Sequence, residues 1–296
     1  MATPADAATD IDQPAHRAGT FHFLGGPEVT RMGYGAMRIT GPGIWGPPDD
    51  PDEAIAILRR AVELGVDFID TADSYGPFVS EDLIREALHP YDGLTVATKA
   101  GLLRTGPEKW IPCGRPAYLR QCVEMSLRRL DVEQIDLLQL HRIDADVPMA
   151  DQVGELADLR EEGKIAAIGL SQVDVETLED AREITDIVAV QNLYNLADRS
   201  SHDVLERCEA LSIGFVPWFP IAGSELVDGG GAVSDVADDL EATPAQVALA
   251  WLLATSPVML PIPGTSSLDH LEENVRAAEL ELSNEQMTAL DSVASA

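Results

Sequence analysis

Four side chains in the first half of the chain have the types that a proton-transfer site needs: Asp70, Tyr75, Lys99 and His141. Asp70, Lys99 and His141 end the apolar runs "VDFID", "TVATK" and "IDLLQLH", and Tyr75 follows Asp70 by five residues in "DTADSYG". A tyrosine hydroxyl has a reference pKa near ~10 and is a weak acid at neutral pH, but a nearby ammonium favours its phenolate and makes it a better donor. Lys99 would supply that charge. Asp70 would keep the buried lysine paired, and His141 would orient or polarise an acceptor oxygen. The chemistry indicated is proton donation to a carbonyl oxygen. None of the four supplies electrons, so a reduction would need a cofactor to bring the hydride.

Lysine usage sharpens the point. The chain has three lysines, and of these Lys109 and Lys164 lie in polar, loop-like stretches. Lys99 alone sits where burial of a charge is most costly. Taken singly, each residue has an ordinary structural reading: a strand-end Asp as a loop anchor, a Lys reaching solvent, a His satisfied in a core. Their joint placement at strand ends carries the inference.

The elements that must position them follow a repeating pattern of amphipathic helix, Gly or polar residue, then short apolar strand. "DEAIAILRRAVELG" puts Ile55, Leu58 and Val62 on one helical face before Gly65 and "VDFID". "PAYLRQCVEMSLRRL" precedes "IDLLQLH", and "QVGELADLREEG" precedes "KIAAIGLSQ". Further helices are expected near 174–184, 201–211 and 244–255. Eight strands are expected in all: "RMGYGAM", "VDFID", "LTVATKA", "IDLLQLH", "IAAIGL", "IVAVQN", "GFVPWF" and "VMLPIPG". Nearly continuous apolar runs fit strands covered on both faces, so the pattern predicts an α/β fold, a (β/α)8 TIM barrel with its site at the carboxyl ends of the strands. The competing open sheet would want a third glycine after Gly33 and Gly35 and a helix starting there; neither is present. "TFHFLGGPEVTRM" reads as an N-terminal β-hairpin turning at Gly25 and Gly26 and closing the barrel bottom. The insert "TGPGIWGPPDDP" belongs at the top rim. Residues 1–19 are expected to be a disordered acidic lead-in, and 20–296 a single barrel domain.

Composition narrows the function classes. A formal charge of −31, from 51 acidic and 20 basic residues, disfavours nucleic acid. The same excess resembles proteins adapted to high salt. No apolar run is long enough to cross a bilayer and the N-terminus has no signal-peptide pattern, so a cytoplasmic protein is expected. Cys113, Cys122 and Cys208 have neither disulfide nor metal-ligand spacing, and no metal site is expected.

At these residues the sequence resembles the aldo-keto reductases, a family of (β/α)8-barrel, nicotinamide-dependent carbonyl reductases. The resemblance runs from about residue 20 onward through "VDFIDTADSYG", "TVATKAG", "LLQLHRID", "IAAIGLSQ", "VQNLYN", "PWFPIAG" and "PIPGTSSLDHLEEN", in family order. It implies a catalytic tetrad of Asp70, Tyr75, Lys99 and His141, with Tyr75 as general acid. It implies that Ser171, Gln172 and Gln191 hold a nicotinamide carboxamide, with Gln172 replacing the family's usual Asn, and that Trp218 stacks on the ring. Met37 and Asp70 would lie beside the cofactor, and Phe219, Ile221 and Gly223 would follow its pyrophosphate. The basic residues that grip a 2'-phosphate in the family would fall on Gly264 and His270, leaving Thr265, Ser266, Glu273 and Asn274 around the adenosine. NADP(H) is the cofactor favoured, with NAD(H) the alternative.

The stretches "RMGYGAMRITGPGIWGPPDD" and "IPGTSS" resemble the branch containing bacterial pyridoxal reductases, which implies a small-molecule carbonyl substrate such as a pyridoxal-like aldehyde. Trp45, Tyr75, Trp110 and His141 are the expected substrate walls of an open pocket. The oligomeric state is left open, a monomer being compatible with the sequence. Two other functions fit parts of the pattern: a non-catalytic nucleotide-binding sensor subunit, and a lyase using Lys99 as a Schiff-base nucleophile. The second needs a neutral amine, which Asp70 would oppose.

Overall fold

The computed structural model describes residues 13–221 and 231–293. The strands are β1 (Thr20–His22), β2 (Glu28–Thr30), β3 (Tyr34–Gly35), β4 (Phe68–Asp70), β5 (Thr95–Ala100), β6 (Leu102–Arg104), β7 (Trp110–Pro112), β8 (Ile135–Leu140), β9 (Ile165–Ser171), β10 (Ala189–Gln191) and β11 (Gly214–Phe215). Seven of them form one parallel sheet in the order β11-β10-β9-β8-β5-β4-β3. Nearly all their residues are buried, as expected for strands covered on both faces.

The eighth expected strand forms no ladder. Its chain still closes the curl: Phe215 bridges Met259 in parallel, and the Gly33 amide donates to the Pro261 carbonyl at 3.0 Å. Pro257, Pro261 and Pro263 have no amide hydrogens, so a regular ladder cannot run through this segment. The result is a TIM-barrel-like α/β fold.

Helices cover the sheet where periodicity placed them, including Pro51–Glu63, Pro116–Leu130, Met149–Glu161, Val175–Arg182, His202–Leu211 and Pro244–Thr255. The first is started by Asp50, whose carboxylate accepts from the Glu53 amide, with Pro51 at its first position. Pro244–Thr255 opens with a capping box of Thr243 and Gln246. Its residues Val247–Leu252 are all buried, in keeping with its nearly all-apolar sequence.

The N-terminal hairpin forms as expected, with Thr20 opposite Thr30. Phe23 in its turn is buried against Phe21 and Phe68, at ring distances of 5.2 and 5.8 Å, and so plugs the amino end of β4. Part of the stretch expected as a lead-in, 1–19, belongs to the fold. Pro14–Ala18 form a 3-10 turn whose Ala15 and Ala18 are buried in the core; residues 1–12 lie outside the described residues. Among the described residues, no helix is long and apolar enough to cross a membrane and no cluster suits a metal ion. One element was not anticipated: β6 and β7 make a second hairpin, pairing Leu102 with Pro112 and Arg104 with Trp110. It stands directly after Lys99 and carries one wall of the site.

Candidate active site

Strand register brings the reacting groups together. β4 ends on Asp70, β5 places Lys99 beside Gln139 of β8, and the next residue after β8 is His141. Lys99 is fully buried, and its Nζ donates to Asp70 Oδ2 at 2.6 Å, to the Thr71 carbonyl at 2.7 Å and to the Tyr75 hydroxyl at 3.4 Å. Asp70 uses its other oxygen to accept from Gln139 Nε2 at 3.0 Å and Gln191 Nε2 at 2.9 Å. The buried pair is therefore satisfied on both sides, the condition under which such a pair holds rather than unfolds a core. Gln139 reaches Asp70 because β9 faces it with Gly169: a Cβ there would lie 2.9 Å from Gln139 Cγ.

The electrostatics separate the roles. Burial lowers the Lys99 pKa, but the Asp70 and Tyr75 charges together outweigh it and hold the ammonium above its ordinary value. Burial raises the Tyr75 pKa, and although Lys99 pulls it down, the net result is above the ordinary phenol. Lys99 thus opposes a larger desolvation effect; it does not bring the free phenol below its reference value. His141 is pushed well below the usual imidazole range by burial and then by Lys99, Arg142 and Arg104, so it is neutral at physiological pH. Its Nδ1 is 3.2 Å from Ser74 Oγ; in the tautomer in which Ser74 donates this bond, the ring proton is on Nε2.

A cavity of about 890 Å³ opens over this cluster. Asp70, Tyr75 and His141 line it together with Met37, Ser171, Gln191, Trp218, Phe219, Ile221, Gly264 and Trp110, all expected at the site. The size and the mixture of apolar walls with a few convergent polar groups suit a small-molecule or cofactor site. A nicotinamide fits the donor set: the Ser171 hydroxyl and Gln191 carboxamide stand at adjacent strand ends, paired in register, and Trp218 offers a flat ring on the same cavity.

Other expected residues are placed differently. Gln172 does not line the cavity; its backbone is left-handed at φ 60°, and its Oε1 accepts from the Leu193 amide and from Trp218 Nε1, the latter at 2.6 Å. It holds the Trp218 indole. Trp45 also stays off the cavity, while its neighbour Ile44 lines it. Gly223 lies outside the described residues. Toward the adenosine end, Thr265 is buried with its carbonyl accepting from the Tyr34 hydroxyl, and Ser266 lines an adjoining smaller cavity. The His270 amide donates to the helix-capping Ser267, Glu273 accepts from Thr243, and Asn274 is buried.

Sequence reasoning missed three groups. Arg104 donates to the carbonyls of Gly43, Ile44, Ser74, Gly106 and Lys109, and its guanidinium lies 3.6 Å from the centre of the Trp110 ring and 5.6 Å from that of Trp45. It ties the rim insert, the Tyr75 loop and the β6–β7 hairpin into one wall. The turn residues "TGP" between apolar "LL" and "WIP" were its available signal. Arg142, adjacent to His141, donates to Ser171 Oγ at 3.0 Å and also lines the cavity. Asp73 sits between Asp70 and Tyr75, almost fully buried, and its Oδ1 has no hydrogen-bond partner among the described residues. Burial, and then Glu81, pushes its carboxyl up to about 7, opposed by Cys122 and Arg129.

Comparison with known proteins agrees with this geometry. The aldo/keto reductase family pattern matches residues 31–295. The chain is 54% identical over 289 residues to an uncharacterized oxidoreductase of Schizosaccharomyces pombe, spanning 98% of this chain and 93% of that one. It is 43% identical over 277 residues to the pyridoxine 4-dehydrogenase of Escherichia coli, spanning 91% and 96%, in keeping with the pyridoxal reductase branch. The crystal structure of an aldo-keto reductase from Klebsiella pneumoniae in complex with NADPH superposes with a TM-score of 0.78 at 27% identity, covering 92% of this chain and 93% of that one. With its fold, its strand-end cluster and its full-length relatives in agreement, this chain belongs to the aldo/keto reductase family of oxidoreductase enzymes.

Proposed function

We propose that the protein reduces aldehydes or ketones to alcohols with a reduced nicotinamide dinucleotide, and that Tyr75 is the general acid. The observation that carries this reading is the Tyr75 hydroxyl at the cavity wall, 3.4 Å from an ammonium that is itself clamped by Asp70. Bound in the cavity, the reduced nicotinamide would supply the hydride to the carbonyl carbon. The Tyr75 O–H bond breaks as its proton passes to the carbonyl oxygen, and the phenolate left behind faces Lys99 Nζ. Its negative charge is worth more there than in water because both side chains are buried. His141, neutral and held by Ser74, presents Nε2–H to the same oxygen. Ser171 and Gln191 would hold the carboxamide, and Trp218, fixed by Gln172, would cover the ring.

The substrate class that fits is an aromatic aldehyde of pyridoxal type. Trp110 supports it as an aromatic wall held edge-on to Tyr75 at 6.3 Å, and the Escherichia coli relative is named for pyridoxine, the alcohol that corresponds to such an aldehyde. NADP(H) is favoured as the cofactor, as in the NADPH complex of the Klebsiella relative. The Schiff-base alternative is disfavoured, since Asp70 keeps Lys99 charged. The test is absorbance of NADPH with a panel of aldehydes including pyridoxal. Aldehyde-dependent oxidation in the parent, lost in Tyr75→Phe, is expected; binding of NADPH without turnover of any aldehyde would favour a sensor instead.

A further inference from the structure

The adenosine end of the cavity has a steric constraint that bears on cofactor choice, if the cavity is the dinucleotide site proposed above. Position 264, where the family resemblance expects a basic side chain, is glycine, and a Cβ built there would lie 2.5 Å from the Gly35 carbonyl oxygen. The opposing glycine is as tight: a Cβ on Gly35 would lie 2.7 Å from the Ile262 carbonyl oxygen. Both atoms in the way are backbone. They are pinned by the Tyr34 hydroxyl donating to the Thr265 carbonyl at 2.7 Å and by the Gly33 amide donating to Pro261. No lysine can leave position 264 unless β3 and the 261–265 segment part.

A cation does approach from the other side. Arg38, on the 3-10 turn Ala36–Ile39 that follows β3, passes its Cγ 3.8 Å from the Cβ position of Gly264. Its side chain therefore begins where a side chain at 264 would. Arg38 lines the large cavity beside Gly264 and also the smaller one that contains Ser266, so it spans the two. It is exposed and, among the described residues, has no hydrogen bond or ion pair. Arg17, Arg85, Arg115 and Arg128 share that state, but none of them lines either cavity. Arg59, Arg60, Arg104, Arg129 and Arg207, by contrast, all have partners. A guanidinium with its fork unengaged is suited to bidentate binding of phosphate oxygens.

We propose that Arg38 supplies the cation for the 2'-phosphate of the dinucleotide, reaching across Gly264 in place of the family's basic residue. Preference for the phosphorylated cofactor then resides on the β3 side of the cavity, and the glycine pair is what allows Arg38 to lie there.

The experiment is a fluorescence titration of the parent, Arg38→Gln and Arg38→Lys with NADPH, NADH and the fragment 2',5'-ADP, at low and high salt. Charge-assisted contacts of about 1.5–3 kcal/mol correspond to a loss of roughly tenfold or more. Arg38→Gln should lose that much affinity for NADPH and 2',5'-ADP while NADH changes less than about twofold. Arg38→Lys should recover part of it, and the parent's NADPH affinity should fall more steeply with salt than that of Arg38→Gln. Unchanged NADPH affinity in Arg38→Gln, or an equal loss for NADPH and NADH, would overturn the assignment, the latter by placing Arg38 on the pyrophosphate. A parent that binds neither nucleotide would instead bring down the dinucleotide reading itself, and this assignment with it.

Discussion

The two ends of the cavity are built in opposite ways. At the reaction end, Asp70, Lys99, Gln139 and Gln191 are buried on strands whose register is fixed by the sheet, and each is hydrogen-bonded to another. At the end proposed for the adenosine, the groups lie on short connections, and among the described residues Arg38, beside Gly264, is exposed and unpaired. The difference follows from what each end must do. A proton donor needs a charge that stays in place in a dry site, which requires every partner to be satisfied before substrate arrives. A phosphate site needs donors left open for the ligand.

The contrast can be broken at several points. Tyr75→Phe should lower kcat by about 10²–10⁴-fold while leaving nucleotide affinity within about twofold, read by steady-state kinetics beside a binding titration. Lys99→Met should cost turnover on a similar scale. It should also cost stability, roughly 3–5 kcal/mol in a denaturant melt, because Asp70 is left as a buried unpaired charge. Adding Asp70→Asn to that variant should return much of the stability and none of the rate, which separates the structural from the chemical part of the pair.

Arg104→Met sharpens a third region, the substrate wall. With five backbone carbonyls released and Trp110 uncovered, KM for an aromatic aldehyde should rise about tenfold, or ~1.4 kcal/mol, with kcat changing only a few-fold and NADPH affinity unmoved. An equal fall in kcat would mean that the Tyr75 loop itself had shifted. A further effect, on stability and not on turnover, is expected at Asp73. Its carboxyl is held near 7 in the fold against 3.8 as the ordinary value, so the folded state keeps a proton that the unfolded chain releases. Its contribution is present below the ordinary value and is lost as pH rises toward 7, a few kcal/mol at most. Relative to the parent, Asp73→Asn should therefore become more stable between pH 4 and pH 7, measured by melts across that range.

How much of this was legible in the sequence follows the same division. Asp70, Lys99 and His141 end apolar runs, and strand ends in a parallel barrel share one face, so their convergence could be read without coordinates. The helices were legible from periodicity, while the caps at Asp50 and Thr243 came to light in the structure. What could not be read depends on contacts between loops remote in sequence. Arg104 meets Ile44 across 60 residues and Gly35 meets Gly264 across the barrel seam, with no local pattern announcing either. Gln172 shows the limit from another side: its position was legible, but its left-handed backbone and its bond to Trp218, 46 residues away, were not. The failure of "VMLPIPG" to form a ladder was foreseeable from its prolines, which an apolar run masks.

The central claim is that Tyr75 donates the proton while Lys99, held by Asp70, stabilises the phenolate. Its most direct test is turnover of pyridoxal with NADPH by the parent and Tyr75→Phe, at nucleotide concentrations set from each protein's own binding titration. The account predicts near-equal NADPH affinity and a rate at least about a hundredfold lower in the variant. Undiminished turnover by Tyr75→Phe would contradict it and move the proton donor elsewhere in the cavity.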